Sequence, residues 1–175
     1  MAKYNVDAAH SNVGFEVKHM MVSKVKGSFD KFDAQIEADD LADLTTAKVT
    51  FELDPASVNT RNEDRDNHLK SADFFNVEQH DKITFTSSTI EGAGQDYQMS
   101  GDLTIKDVTK PVTFDIEFGG QGVNPWGNKV YGFEAESKIN REDFDLTWNT
   151  ALETGGVLVG KEIKIKVELE INPAE

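Results

Sequence analysis

The sequence contains no cysteine, which excludes disulfide cross-links, thiolate nucleophiles and cysteine-ligated metals. Proline is scarce, with 4 residues, and no Ser/Gly-rich stretch, internal repeat or low-complexity run marks a linker. At 175 residues the chain is read as a single domain spanning residues 1–175. No apolar run approaches a membrane span, and the opening MAKYNVDAAH lacks the apolar core of a signal peptide. The expectation is a cytoplasmic protein without a transmembrane segment. Positive charge is also short: 18 Lys+Arg stand against 32 Asp+Glu, for a net charge of −14. Binding to a phosphate backbone needs a basic face, so no nucleic-acid partner is expected.

What the sequence does have is a two-residue rhythm. Val13, Phe15, Val17, His19 and Met21 alternate with Asn12, Gly14, Glu16 and Lys18. The last stretch is the cleanest, with Ile163, Ile165, Val167, Leu169 and Ile171 set against Glu162, Lys164, Lys166, Glu168 and Glu170. Such alternation marks strands with one buried face. The phase slips once, at Asp30-Lys31, which predicts a bulge or sharp bend. Asp54-Pro55 ends or bends another strand, because proline cannot donate to a ladder. Gly92–Asp96 and Lys106–Lys110 read as turns, Gly119–Asn128 as a long loop, and Ala38–Thr46 as a polar turn with a possible helical turn. This gives about eight or nine amphipathic strands and no amphipathic helix to cover them, so the sheet must close on itself or pack as a sandwich. Long strands in meander order favour an antiparallel barrel of the lipocalin type over a filled sandwich.

One segment breaks the rhythm: Ser57–Val77, SVNTRNEDRDNHLKSADFFNV. Thr60 and Glu63 have the spacing of a capping box, which predicts one short helix over about Arg61–Lys70. Residues three and four apart are helical neighbours, so Arg61, Arg65, His68 and Leu69 fall on one stripe. Leu69 is the sole sizeable apolar residue between Asn59 and Ser71, so burial alone does not explain the helix. It is read as covering an opening, with a solvated connection as the plainer alternative.

The quoted residues also carry a family likeness. His10-Ser11 with Phe15, Val17 and His19, then Gly27-Ser28-Phe29, then Ser57-Val58-Asn59-Thr60, follow one pattern across the first third of the chain. Arg65-Asp66-Asn67-His68-Leu69-Lys70-Ser71 leading to Asp73-Phe74-Phe75 is the most specific element. Ile83-Thr84-Phe85, Gly101–Lys106 running on to Thr109-Lys110-Pro111-Val112, and Arg141, Asp143, Phe144, Leu146 and Trp148 complete it. Over almost its whole length the sequence closely resembles the YceI-like family, also called polyisoprenoid-binding proteins. Asp107 and Asp145 depart from the glycine common in the family, and His80-Asp81 from an aromatic-proline pair, which predicts altered loop geometry. The resemblance implies an extended antiparallel eight-stranded lipocalin-like barrel. In that family the channel holds a long-chain isoprenoid lipid, such as a quinone tail or a polyprenyl pyrophosphate, without established catalysis. A role in storage, transport or sequestration follows.

Candidate channel-lining residues are Phe15, Val17, Phe51, Phe85, Met99, Leu103, Phe114, Phe133, Trp148 and Ile165, with Phe74 and Phe75 plugging one end. Ordinary core packing is the alternative for each. Arg61, Arg65 and His68 are candidates for a polar or anionic head group, since arginine meets phosphate bidentately. The alternative is pairing with Asp66, Asp73 or, for His68, Asp64. Neither cofactor nor metal is expected: His10, His19, His68 and His80 show no ligand spacing. His10-Ser11 has no nucleophile-elbow context, and adjacent strand residues face opposite ways. An enzyme is therefore not expected. A small barrel hydrolase or isomerase and a filled-core interaction module stay as alternatives, and strand edges at the barrel seam leave a homodimer open.

Overall fold

The computed structural model describes residues 2–20, 22–149 and 159–174. Met21, part of the first apolar stripe, lies outside them. The alternating stretches form β1 (Ala2–Val6), β2 (Asn12–His19), β3 (Ser23–Phe29), β4 (Phe32–Ala38), β5 (Lys48–Leu53) and β6 (Val58–Asn59). Helix α1 (Glu63–Lys70) follows, then β7 (Ile83–Ala93), β8 (Asp96–Ile105), β9 (Val108–Val123), β10 (Lys129–Asn140) and β11 (Val159–Pro173).

Eight strands pair antiparallel in a ring, in the order β1-β4-β5-β7-β8-β9-β10-β11, and β1 against β11 closes it. The other half of β11 pairs with β2, from which β3 and β6 extend the wall at one end. The first three staves are thus long strands, each broken once. β1 passes to β2 through a 3-10 turn at Ala8–His10, β3 to β4 at Asp30-Lys31, and β5 to β6 through a 3-10 turn at Pro55–Ser57. The bend at the phase slip and the break after Asp54 stand where alternation and proline put them. The polar turn ends in a 3-10 turn at Leu44–Thr46. The upper end of the barrel holds the β2–β3 turn and α1; the lower end holds residues 39–47 and the β9–β10 turn.

Two expectations need correction. The long loop is much shorter, because β9 continues to Val123 and β10 starts at Lys129, with a register shift at Gly132/Phe133. Backbone pairing through glycine leaves no apolar alternation to read. Second, α1 starts at Glu63, capped by Asn62, whose side chain accepts from the Arg65 N–H. Arg61 lies outside the helix in left-handed backbone, φ 62°, and Thr60 bonds Asp66 instead of forming the box. At two of the departures from glycine, Asp107 (φ 65°) and Asp145 (φ 62°), the backbone is in the left-handed region that glycine serves and Asp tolerates. His80 and Asp107, two of the departures, approach to 3.4 Å.

The barrel wall is tight at Gly101. β7 bulges between Ser87 and Thr89, and a Cβ on Gly101 would lie 2.3 Å from the Thr86 carbonyl oxygen and 2.7 Å from the Phe85 ring. Backbone cannot yield cheaply, so Gly101→Ala is expected to cost about 1–3 kcal/mol, as overpacking does. An unchanged urea midpoint would reject this.

Where β1 breaks into β2, the fold assembles a proton bridge that sequence spacing does not show. His10 Nδ1 lies 2.8 Å from Asp7 Oδ2 and 3.2 Å from Glu170 Oε2. The three ligand-type atoms lie within 4.8 Å, close enough for a metal ion, but an Nδ1–H shared between the two carboxylates accounts for the approach. The hydrogen bond to Asp7, then the charges of Asp7 and Glu170, raise the His10 pKa above 6.5. The bond to His10 chiefly lowers that of Asp7 below 3.8. The His10 contribution is complete below the unfolded value of 6.5 and fades as pH rises through the raised folded value. That of Asp7 is complete above 3.8 and fades as pH falls through its lowered one. His10→Gln should therefore flatten the loss of thermal stability on the alkaline side of about pH 6.5. An identical slope in wild type and variant would show the bridge to be inert.

Candidate functional site

The inward-facing side chains do not fill the barrel. They leave a cavity of about 360 Å³ with an almost wholly apolar wall, within the range of roughly 300–1,000 Å³ typical of ligand pockets. Leu41 and Leu44, 1% and 4% exposed, close the lower end. The Tyr97 hydroxyl pins that loop by donating to the Ala42 carbonyl at 3.2 Å.

All the apolar candidates from the sequence line this cavity. Phe51 on β5, Phe85 on β7, Met99 and Leu103 on β8, Phe114 on β9 and Phe133 on β10 form its middle. Phe85 and Phe114 meet edge to face at 5.1 Å. Phe15 and Val17 on β2, Ile165 on β11, and Phe74, Phe75 and Trp148 form its upper part. There Phe74 and Phe75 follow α1 as a lid, with Phe75 against Phe29 at 5.7 Å.

The polar part of the wall gathers at the upper end, where Lys18, His19, Arg65 and His68 join it. Lys18 and Arg65 are exposed and His19 and His68 half-buried, so this end is the mouth. No side chain of α1 is buried, yet Arg65, His68 and Leu69 all reach the cavity: the helix covers an opening, as its composition implied. Arg65 and Asp66 clamp the buried Thr60. The Thr60 N–H and hydroxyl donate to Asp66 at 2.8 and 2.5 Å, and Arg65 donates to the Thr60 hydroxyl and carbonyl at 2.8 and 2.7 Å. No carboxylate lies within ion-pair distance of Arg65 among the described residues. His68 pairs with Asp73 at 2.9 Å, not with Asp64, and its ring stands edge-on to Trp148 at 4.6 Å and Phe74 at 5.1 Å. Arg61 is the misplaced candidate. It is exposed and absent from the cavity wall, because the left-handed turn that frees Asn62 to cap α1 carries it outward.

Sequence reasoning missed Arg141 as a site residue. It lines the cavity at the upper end of β10 and is only 2% exposed. Its Nε donates to the Gly160 carbonyl at 2.8 Å, Nη1 to Leu146 at 2.6 Å and Nη2 to Val159 at 3.4 Å. Burial lowers its pKa from the usual value, and Glu142 pulls the other way; an arginine nonetheless stays charged in a protein. The cavity therefore has a fixed positive charge in its upper wall, solvated by carbonyl dipoles. The signal available was a cation just before the apolar residues Phe144, Leu146 and Trp148, which alternation does not weigh.

The family model described as the YceI-like domain matches residues 4–171. A UPF0312 protein of Staphylococcus aureus (strain MSSA476) is 47% identical over 176 residues, covering 100% of both chains. The crystal structure of Burkholderia cenocepacia BcnA superposes with a TM-score of 0.81 at 28% identity, covering 94% of this chain and 98% of that one. A polyisoprenoid binding domain from Saccharophagus degradans, implicated in plant cell wall breakdown, shares the fold with a TM-score of 0.68 at 14% identity, covering 99% and 100%. A family match over nearly the full length, together with an eight-stranded lipocalin-like barrel around an apolar cavity, makes this chain a member of the YceI-like family.

Proposed function

We propose that the protein binds a long apolar isoprenoid-type lipid, with a quinone-like or polyprenyl pyrophosphate character, and holds it for storage, transport or sequestration without chemical turnover. The cavity carries this reading: its wall is almost wholly apolar, closed below by Leu41 and Leu44, with its charged groups at the upper end. The name of the Saccharophagus degradans domain of the same fold supports the lipid class. Burial contributes roughly 0.8 kcal/mol per CH₂, so a few isoprene units reach micromolar affinity after the costs of association. The head group then needs only orientation, which Arg65, His68 and the charge of Arg141 supply at the mouth.

Mass spectrometry of organic extracts from protein purified from its own host tests the proposal. Recovery of a prenyl lipid at near one-to-one stoichiometry supports it. Empty protein that also fails to take up added polyprenyl lipid overturns it.

A further inference from the structure

A carrier of a water-insoluble tail must meet the surface that supplies or accepts it, and the β2–β3 turn has the chemistry for that contact. Hairpin turns ordinarily use Gly, Asn or Asp, which tolerate both left-handed backbone and water. Here Met20 takes φ 54° and is 45% exposed, and Val22 is 85% exposed. Neither joins the core. Behind this apolar tip, Glu16, Lys24 and Lys26 lie on the outer face and the exposed Lys18 at the rim of the mouth, with Lys18 directly across from Lys24 and Glu16 from Lys26. Like charges directly opposite one another destabilise an antiparallel pair. Glu16, the one acid of this face, reaches Lys24 at 3.6 Å, which leaves the hairpin basic in a chain of net charge −14. The same hairpin forms one side of the mouth, through Lys18 and His19.

We propose that the β2–β3 turn docks the protein on an anionic lipid bilayer. Met20 and Val22 enter the acyl boundary, and Lys18, Lys24 and Lys26 meet the lipid phosphates. The mouth is then held against the membrane, and a tail passes between the two without crossing water. The purpose of this contact rests on the tail-binding reading above; the geometry does not. Charge elsewhere orients the approach. Asp96, Glu117 and Glu134 form one cross-strand row toward the lower end, which an anionic surface repels. Glu63 and Asp64 of α1 confine docking to the hairpin side of the mouth. Lysines on the open edge of β3 would also deter edge-to-edge pairing, but that role needs no apolar tip.

Co-sedimentation of the full chain with vesicles of phosphatidylcholine alone, and of phosphatidylcholine with an equal part of phosphatidylglycerol, tests the proposal. Binding is expected to the anionic vesicles only, weakening as salt rises. Lys18→Gln/Lys24→Gln/Lys26→Gln should weaken it on the order of 100-fold. Met20→Asn/Val22→Asn should weaken it about tenfold with an unchanged melting curve. Equal binding to both vesicle types, or indifference to the lysine variant, overturns the proposal. So does a loss seen instead with Trp126→Ala, 82% exposed at the lower end, since the opposite end would then face the membrane. Vesicle association is scored without cargo. Protein that carries lipid but ignores vesicles overturns docking alone, and protein that docks but never loads overturns the tail-binding reading alone.

Discussion

Ala135→Trp is expected to leave the barrel folded and nearly empty of lipid. Ala135 lies on β10 beside Phe133, paired with Ile116 on one side and Val167 on the other, and its side chain faces the cavity. An indole there grows into open space rather than into packed atoms, so the overpacking cost of about 1–3 kcal/mol is largely avoided. The same ring takes the space a tail would occupy midway along the channel. Extracted lipid per mole of protein should fall at least tenfold, with a melting temperature within a few degrees of wild type. Glu134→Trp is the control. Adjacent strand residues face opposite sides, and Glu134 is exposed on the outer wall, so lipid content should not change. Full loading in Ala135→Trp would mean that the lipid lies elsewhere.

The fold was legible because one face of every long strand is apolar. The stripe Tyr97, Met99, Gly101, Leu103 and Ile105 is buried residue for residue, and the slip at Asp30-Lys31 is a real break. Alternation reports which side is inside, and the lack of a covering helix reports closure. It failed where backbone pairs without apolar side chains, as at Gly119–Val123, and where a bulge reverses phase, as in β7, where Ile90 is buried after Phe85. The apolar channel lining was legible for the same reason as the fold. The mouth was only half legible. Arg65 and His68 followed from helical spacing, but Arg61 was lost to a single left-handed residue, and helix periodicity carries no information about backbone outside the helix. Asp7, His10 and Glu170 meet because β11 pairs with both halves of the first stave, a contact across the whole chain that local pattern does not contain.

Arg141→Met should produce the largest stability loss in the molecule, about 3 kcal/mol or more. Replacing a buried ion pair by an apolar side chain is often neutral, because both charges leave together. Here no carboxylate leaves with the arginine: the partners are the carbonyls of Leu146, Gly160 and Val159. The buried Leu146 carbonyl and the half-buried Gly160 carbonyl stay behind without this donor, each at a cost of about 1–3 kcal/mol if left unsatisfied, whereas the Val159 carbonyl keeps a second donor. The guanidinium also ties the turn after β10 to the start of β11, alongside Asn149, whose amide donates to the Val159 carbonyl at 2.8 Å and accepts its N–H at 3.1 Å. Arg141→Lys keeps the charge but offers three donors from one atom in place of a planar fork, so it should recover part of the loss. Urea unfolding of the three proteins decides the matter. A loss below about 1 kcal/mol for Arg141→Met would show that water or neighbouring donors satisfy those carbonyls without it. If the loss is large and Arg141→Lys restores stability but not lipid retention, the buried guanidinium serves the head group as well as the wall, because only the planar fork can bind an anion bidentately.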